Sequence, residues 1–222
     1  MATYFRPAFF EFLAELKANN NRAWFDANRE RFVEQVETPM LDFIAAVGER
    51  LPRISRNFVA SPRRVGGSLF RIHRDVRFSK DKTPFKPAMG AHFSHAARAA
   101  GKSVPGFYLH LEPGLCVGGG GIYQPDPGAL ERIRGRIVAK PAEWERVRKE
   151  ITIEGTALKR PPAGYEPEHR FIDDIKRKDL YSLTAFGVRA VCSSRFLDTY
   201  MDACERAAPL VRFIATAAGL RW

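Results

Sequence analysis

The chain has 222 residues, 45% of them apolar and 17 of them phenylalanine, which supplies a real core and excludes a disordered segment or linker. Its formal charge of +11 favours an anionic partner without choosing among nucleic acid, nucleotide, phosphate and carboxylate. No apolar run reaches spanning length, the N-terminus lacks a basic region followed by an apolar one, and Cys116, Cys192 and Cys204 form no CxxC spacing, so the expectation is a soluble, cytoplasmic protein with reduced thiols and no membrane partner.

Residues 7–18 place Phe9, Phe12, Leu13 and Leu16 at helical spacing and stop at Asn19-Asn20-Asn21, which predicts a first helix. Asn21 is suited to cap a second helix running to about Val36, with Trp24, Phe25, Phe32 and Val36 inward. Pro39 breaks or restarts it, and Met40, Phe43, Ile44, Val47 and Leu51 carry the pattern over 40–51. Phe58 and Val59 suggest a short strand. Residues 88–97 read as another. Phe107, Leu109 and Leu111 alternate with Tyr108, His110 and Glu112, and Pro113-Gly114 turns the chain into Leu115-Cys116-Val117, the clearest hairpin in the sequence. Four glycines, 118–121, follow. Asp126 caps a helix with Pro127 at its first position, and a shorter helix surrounds Trp144 and Val147. Residues 151–158 suggest a strand, 169–178 a short helix, and 195–218 a closing helix with Pro209 inside it as a kink. There is no repeat and no convincing linker, so residues 1–222 are expected to form one domain.

The arrangement turns on residues 70–86. Read as a strand, Phe70, Ile72, Val76 and Phe78 share one face, broken only by Arg74, and Arg71, His73, Asp75 and Arg77 share the other. Residues 63–86 hold eight lysines and arginines against Asp75 and Asp81, a local net charge of +6. Guanidinium groups bind phosphate or carboxylate through two parallel hydrogen bonds, so Arg71, Arg74 and Arg77 can converge on an oxyanion. Asp75 would hold one of them, and Lys82 and Lys86, beyond a turn, would close over the ligand. The alternative is an internal ion-pair network using Asp75, Asp81 and Glu112.

The residues Arg71-x-x-Arg74-Asp75-x-Arg77-Phe78-x-x-Asp81-Lys82-x-x-Phe85, followed by Gly90-Ala91-His92-Phe93, resemble domain of unknown function 2461, a bacterial and fungal family. Asn20-Asn21-Arg22-x-Trp24-Phe25, the segment from Phe107 to Pro113 and Gly119-Gly120-Gly121-Ile122 fit it too, so the similarity runs end to end. Phe85 stands where the family pattern usually has tyrosine, which removes any chemistry that hydroxyl performs in relatives. The resemblance implies a conserved site of unknown role and supplies no reaction or cofactor.

Three further features bear on function. The glycine run leads into a capped helix and lets backbone approach a ligand, yet it is neither a Walker loop nor a dinucleotide fingerprint; the alternative is a bulged strand end that admits close packing. His73, His92 and His110 fall on polar strand faces, with no tight metal-ligand spacing, and no metal is assigned. Cys116 sits in an apolar strand, more suited to core than to catalysis. The expected fold is α+β: a central, mainly antiparallel sheet over about residues 54–122, flanked by N-terminal and C-terminal helices. The candidate ligand-binding residues are Arg71, His73, Arg74, Asp75, Arg77, Lys82, Lys86, His110, Glu112, Gly119 and Gly120. The expected partner is a small anionic ligand. A nucleic-acid-binding basic surface and a purely structural ion-pair motif are the alternatives, and cofactor, reaction and oligomeric state stay unassigned.

Overall fold

Every strand pairing in the central sheet is antiparallel, and the strands stand side by side in chain order: β1 (Met89–Ser94), β2 (Gly106–Glu112), β3 (Leu115–Ile122) and β4 (Leu180–Phe186). The structure is a computed structural model and describes residues 2–77, 79–97 and 104–222. Helices lie on both sides of the sheet in sequence, so the expected α+β architecture is the one observed.

The hairpin of β2 and β3 forms where alternation and Pro113-Gly114 place it. Gly114 takes a φ of +89°, which side chains disfavour, and Glu112 pairs with Leu115 across the turn. Phe107, Leu109 and Leu111 are fully buried, whereas Tyr108, His110 and Glu112 are half-buried on the opposite, open face. β3 then continues through all four glycines. Gly118 and Gly120 pair with Leu109 and Phe107, and so face the core. A Cβ on Gly118 would lie 2.8 Å from the Tyr200 ring, and one on Gly120 would lie 2.7 Å from Val211 Cγ2. Gly118 and Gly120 are glycine because the closing helix, α9 (Phe196–Ala217), lies directly on that strand, whereas a Cβ on Gly119 or Gly121 would run into the β4 backbone at Ser182 or Leu180.

The N-terminal helices are α1 (Pro7–Ala18), α2 (Arg22–Ala27), α3 (Arg29–Phe32) and α4 (Thr38–Arg50). Asn21 caps α2 by accepting from the Trp24 N–H at 2.9 Å. The second helix expected to reach Val36 is interrupted at Asn28. Pro39 causes no break: a π-helical turn, Val33–Glu37, leads directly into α4. A proline has no N–H to continue the ladder, and a wide turn ahead of it absorbs the loss. Phe9, Phe12, Leu13, Leu16, Phe43 and Val47 go into the core with Phe196 and Tyr200 of α9. Each fully buried side chain of this size contributes about 1.5–3 kcal/mol.

After β3 come α5 (Pro127–Ala139), capped by Asp126 accepting from the Ala129 N–H at 2.8 Å, and α6 (Pro141–Glu150). Together with α7 (Ile172–Ile175) and the second half of α9 they enclose a second apolar cluster around Trp144 and Phe213. A short α8 (Val188–Val191) links β4 to α9, which runs through Pro209.

Several expectations are corrected. The segment 151–158 forms no regular strand; it pairs with the chain around β4 only at the isolated bridges Glu154–Tyr181 and Ala157–Arg177 and is fastened there by Thr156 bonding Asp179. The helix expected over 169–178 shrinks to the single turn α7. The sheet spans 89–122 and gains β4, which the sequence reading missed, while Phe58 joins only through a bridge to His95.

Candidate functional site

The basic motif is not a strand of the sheet. Its first residues lie along β1: the Phe70 N–H donates to the Gly90 carbonyl at 2.9 Å, and the His92 N–H to that of Ser68 at 2.9 Å. The chain then leaves the sheet and folds on itself as a strap. The Arg74 N–H donates to the Pro84 carbonyl and the Lys86 N–H to the Ile72 carbonyl, each at 2.8 Å, and His73 bridges Phe85. Regular pairing stops because aspartate side chains take over the backbone. Asp75 accepts from the Arg77 N–H at 3.3 Å, and Asp81 accepts from the Thr83 N–H at 2.9 Å and its hydroxyl at 2.8 Å. Such local turns compete with a ladder, and Pro84 has no N–H to offer one. The division of faces survives: Arg71, His73, Asp75 and Arg77 are exposed and Ile72 is buried, although Phe70 stands 44% exposed. Phe78, expected on the apolar face, lies outside the described residues.

Each cation of the strap has a traceable environment. Arg77 grips Asp75 through Nε at 3.0 Å and Nη2 at 2.7 Å, and that guanidinium holds the Asp75 carboxyl down at about 2. Arg74 is ion-paired with Asp81, whose carboxyl is lowered first by the Thr83 backbone N–H and then by the Thr83 hydroxyl. Lys82 donates to the Val76 carbonyl at 2.9 Å and Lys86 to the Arg71 carbonyl at 2.8 Å, so both lysines fasten the strap to itself. Burial lowers the Lys86 ammonium, and the charges of Arg71 and Arg74 lower it further. Among the described residues Arg71 enters no ion pair within 4.0 Å; its field falls on Asp75 and Lys86.

The strap is held against the N-terminal helices by two contacts. Asn20 bonds both backbone groups of Phe85, and the Phe85 ring stacks on Phe25 with centroids 4.2 Å apart. Phe85 is buried in that stack, with His73 against its ring at 5.2 Å.

The remaining candidates lie on the sheet. On its open face Tyr108 Oη donates to His110 Nδ1 at 3.2 Å and His110 Nε2 donates to Glu112 Oε2 at 3.2 Å, in the tautomer that serves both contacts. Burial raises the Tyr108 phenol, which keeps it protonated at neutral pH. Gly119 is on this open face opposite Tyr108, whereas Gly120 faces α9. The candidates therefore divide into a strap group and a sheet group. Phe70 stands between them, with Lys86 Nζ 6.0 Å from its ring centroid and the Tyr108 ring 6.1 Å away.

Beside Phe70 the open face carries a cavity of about 570 Å³, with Tyr108, Gly120 and Gly121 in its lining and a wall of Tyr181 and Leu183 from the missed β4. A larger hollow of about 960 Å³ between α6 and α9 is lined by none of the candidate residues. Among the described residues no three His, Cys, Asp or Glu side chains gather as metal ligands. No described helix is long and apolar enough to cross a membrane.

A four-stranded antiparallel sheet with the closing helix packed on one face, the other face open, and a basic strap laid along one edge defines the class of protein. The chain belongs to the conserved hypothetical proteins of domain of unknown function 2461, whose family model matches residues 8–213. Neither the curated proteins nor the solved structures give a match.

Proposed function

We propose that the strap binds a small phosphate- or carboxylate-bearing ligand, with Arg71, Arg74 and Lys86 as its cationic wall and Arg77 held aside by Asp75. The observation that carries this reading is the charge balance around Lys86. Three cations share that region, Lys86 is partly withdrawn from water between two guanidinium charges, and one carboxylate, Asp81, serves Arg74. Like charges drawn together in this way repel one another unless an anion joins them. Arg71 can present its fork to that anion, and Lys86 adds a point charge.

Sulfate titrated against thermal unfolding tests the reading. The midpoint should rise with sulfate in the native protein, and Arg71→Ala should remove that rise while Arg77→Ala leaves most of it. A rise that survives Arg71→Ala and Lys86→Ala together would refute the strap as the site. Binding to one anion also predicts a shallow dependence on salt, in contrast to the steep one of a protein that contacts many backbone phosphates.

A further inference from the structure

We propose that the cavity on the open face of the sheet holds a planar ring belonging to the same ligand, one that presents an N–H or O–H to the Tyr108 hydroxyl and carries its anionic group towards Arg71 and Lys86. This rests on the strap reading and names the rest of the ligand.

The cavity has the dimensions and chemistry of a small-molecule site. Its volume of about 570 Å³ falls within the ~300–1,000 Å³ range of such sites. Its walls are Phe70, His92 and Tyr108 on one side and Tyr123, Tyr181 and Leu183 on the other. The Phe70 and His92 rings lie within 18° of parallel with centroids 6.5 Å apart, so two walls share one orientation. Phe70 remains 44% exposed, which leaves aromatic surface that a flat ring would cover favourably.

Glycine shapes the floor. Gly106 and Gly121 are register partners on the open face. A Cβ on Gly106 would come 2.4 Å from His92 Nε2, and one on Gly121 would come 2.7 Å from Tyr181 Cβ, at a φ of +150°. Without side chains at these two positions, the His92 ring lies over Gly106, the β4 backbone comes close to Gly121, and the space above stays open.

The hydrogen-bond chain sets what the ring must bring. With the imidazole neutral and Glu112 accepting from His110 Nε2–H, Nδ1 is an acceptor and Tyr108 donates to it. The Tyr108 oxygen then retains a lone pair, and a ligand donor satisfies it. The strap adjoins the same wall, since Lys86 Nζ is 6.0 Å from the Phe70 ring centroid.

The test uses indole (neutral ring with an N–H), 1-methylindole (the ring without that donor), indole-3-propionate (ring, donor and carboxylate) and propionate, each titrated into the full chain while the amide signals of Gly106, Gly121 and Arg71 are followed by NMR. Indole should shift Gly106 and Gly121 saturably, 1-methylindole should bind several-fold more weakly, and indole-3-propionate should bind about tenfold more tightly than indole. Tyr108→Phe should abolish the preference for indole over 1-methylindole. Arg71→Ala should abolish only the gain from the carboxylate. Leu183→Trp, which fills the cavity, should abolish ring binding; if that variant does not fold, the exposed Tyr123→Ala should weaken it instead. Indole that leaves Gly106 and Gly121 unmoved overturns the ring site, and propionate shifting Arg71 in the same experiment shows that the strap reading survives alone. Indole binding without any gain from the carboxylate overturns the claim that one ligand spans both.

Discussion

The Asn20 side chain brackets Phe85. Its Nδ2 donates to the Phe85 carbonyl at 3.0 Å and its Oδ1 accepts from the Phe85 N–H at 3.1 Å, as a paired strand would. One amide thus ties the basic strap to the corner between α1 and α2, 65 residues earlier in the chain. Only asparagine and glutamine carry the donor and acceptor side by side on one amide, as a backbone pairing requires, and glutamine is one methylene longer.

Asn20→Ala should therefore destabilise the protein by about 1–3 kcal/mol, two partly buried hydrogen bonds at ~0.5–1.5 kcal/mol each. At this chain length that lowers the thermal midpoint by roughly 2–4 °C per kcal/mol. Asn20→Asp keeps the acceptor and loses the donor, so its midpoint should fall between the two. Calorimetry of the three proteins gives the order. A midpoint for Asn20→Ala equal to the native one would show that the Phe25–Phe85 stack holds the strap unaided.

Acid should leave the Asp75–Arg77 pair intact longer than an isolated aspartate would survive. The Asp75 carboxyl titrates at about 2, lowered first by the Arg77 guanidinium and then by the Arg77 backbone N–H, against ~3.9 for an unperturbed aspartate. A lowered carboxyl contributes stability that is complete above the unfolded value near 4 and is lost as pH falls through the folded value near 2. The pair is exposed, so its contribution to the whole fold is small. A carboxyl carbon NMR titration should place Asp75 near 2 in the native protein and move it upward in Arg77→Ala. An unchanged midpoint in that variant would contradict the cause assigned here.

How much of this was legible before the coordinates depends on how far apart the causes lie in the chain. Asn21, Asp126 and the turn at Pro113-Gly114 act on residues two or three positions away, and each forms what its local chemistry dictates. The strap misled because alternation from Phe70 onward predicts a strand, while Asp75 and Asp81 fold the backbone into side-chain-bonded turns that alternation does not register. β4 was missed because its residues are mostly half-buried, and its apolar contrast is correspondingly weak. The glycine run was ambiguous for a different reason. Its meaning lies in Tyr200 and Val211 for Gly118 and Gly120 and in the β4 backbone for Gly119 and Gly121, about 60–90 residues further on, which no local pattern brings together. The division of the candidates into a strap group and a sheet group was equally invisible, since Phe70 joins them only in three dimensions.

The packing of α9 on β3 makes a sharp prediction at Gly118. A methyl group there would sit 2.8 Å from Tyr200 Cε2 and 2.9 Å from Phe186 Cε2, both in tightly packed surroundings. Overpacking of this kind costs about 1–3 kcal/mol. Gly118→Ala should lower the denaturant midpoint accordingly with the slope unchanged. At Gly135, on α5, a Cβ would meet nothing within 4 Å, so Gly135→Ala should instead stabilise by up to about 1 kcal/mol through helix propensity. Equal effects at the two glycines would mean that α9 yields to the added methyl.

Lys86 gives the anion site a pH signature. Burial lowers its ammonium first, and the neighbouring charges of Arg71 and Arg74 lower it further, so it loses its proton below the ordinary lysine value near 10.4. For a lysine lowered by folding the sign is reversed from the usual ion-paired case. The protonated form costs stability at all pH values below the folded pKa, and that cost disappears as pH rises from the folded value towards the unfolded one. Binding runs the other way, because the charge that strains the free strap attracts the anion. Sulfate, whose charge is constant across this range, should therefore bind progressively less tightly as pH rises towards 10, while the unliganded protein becomes slightly more stable. Lys86→Arg keeps its charge throughout and should carry sulfate affinity to higher pH without the loss. Arg71→Ala removes one of the two guanidinium neighbours, so the Lys86 transition should move upward in that variant even as affinity falls. Isothermal titration at pH 7 and pH 10 on the three proteins measures both effects. A sulfate affinity that is flat with pH in the native protein would exclude Lys86 from the wall of the site.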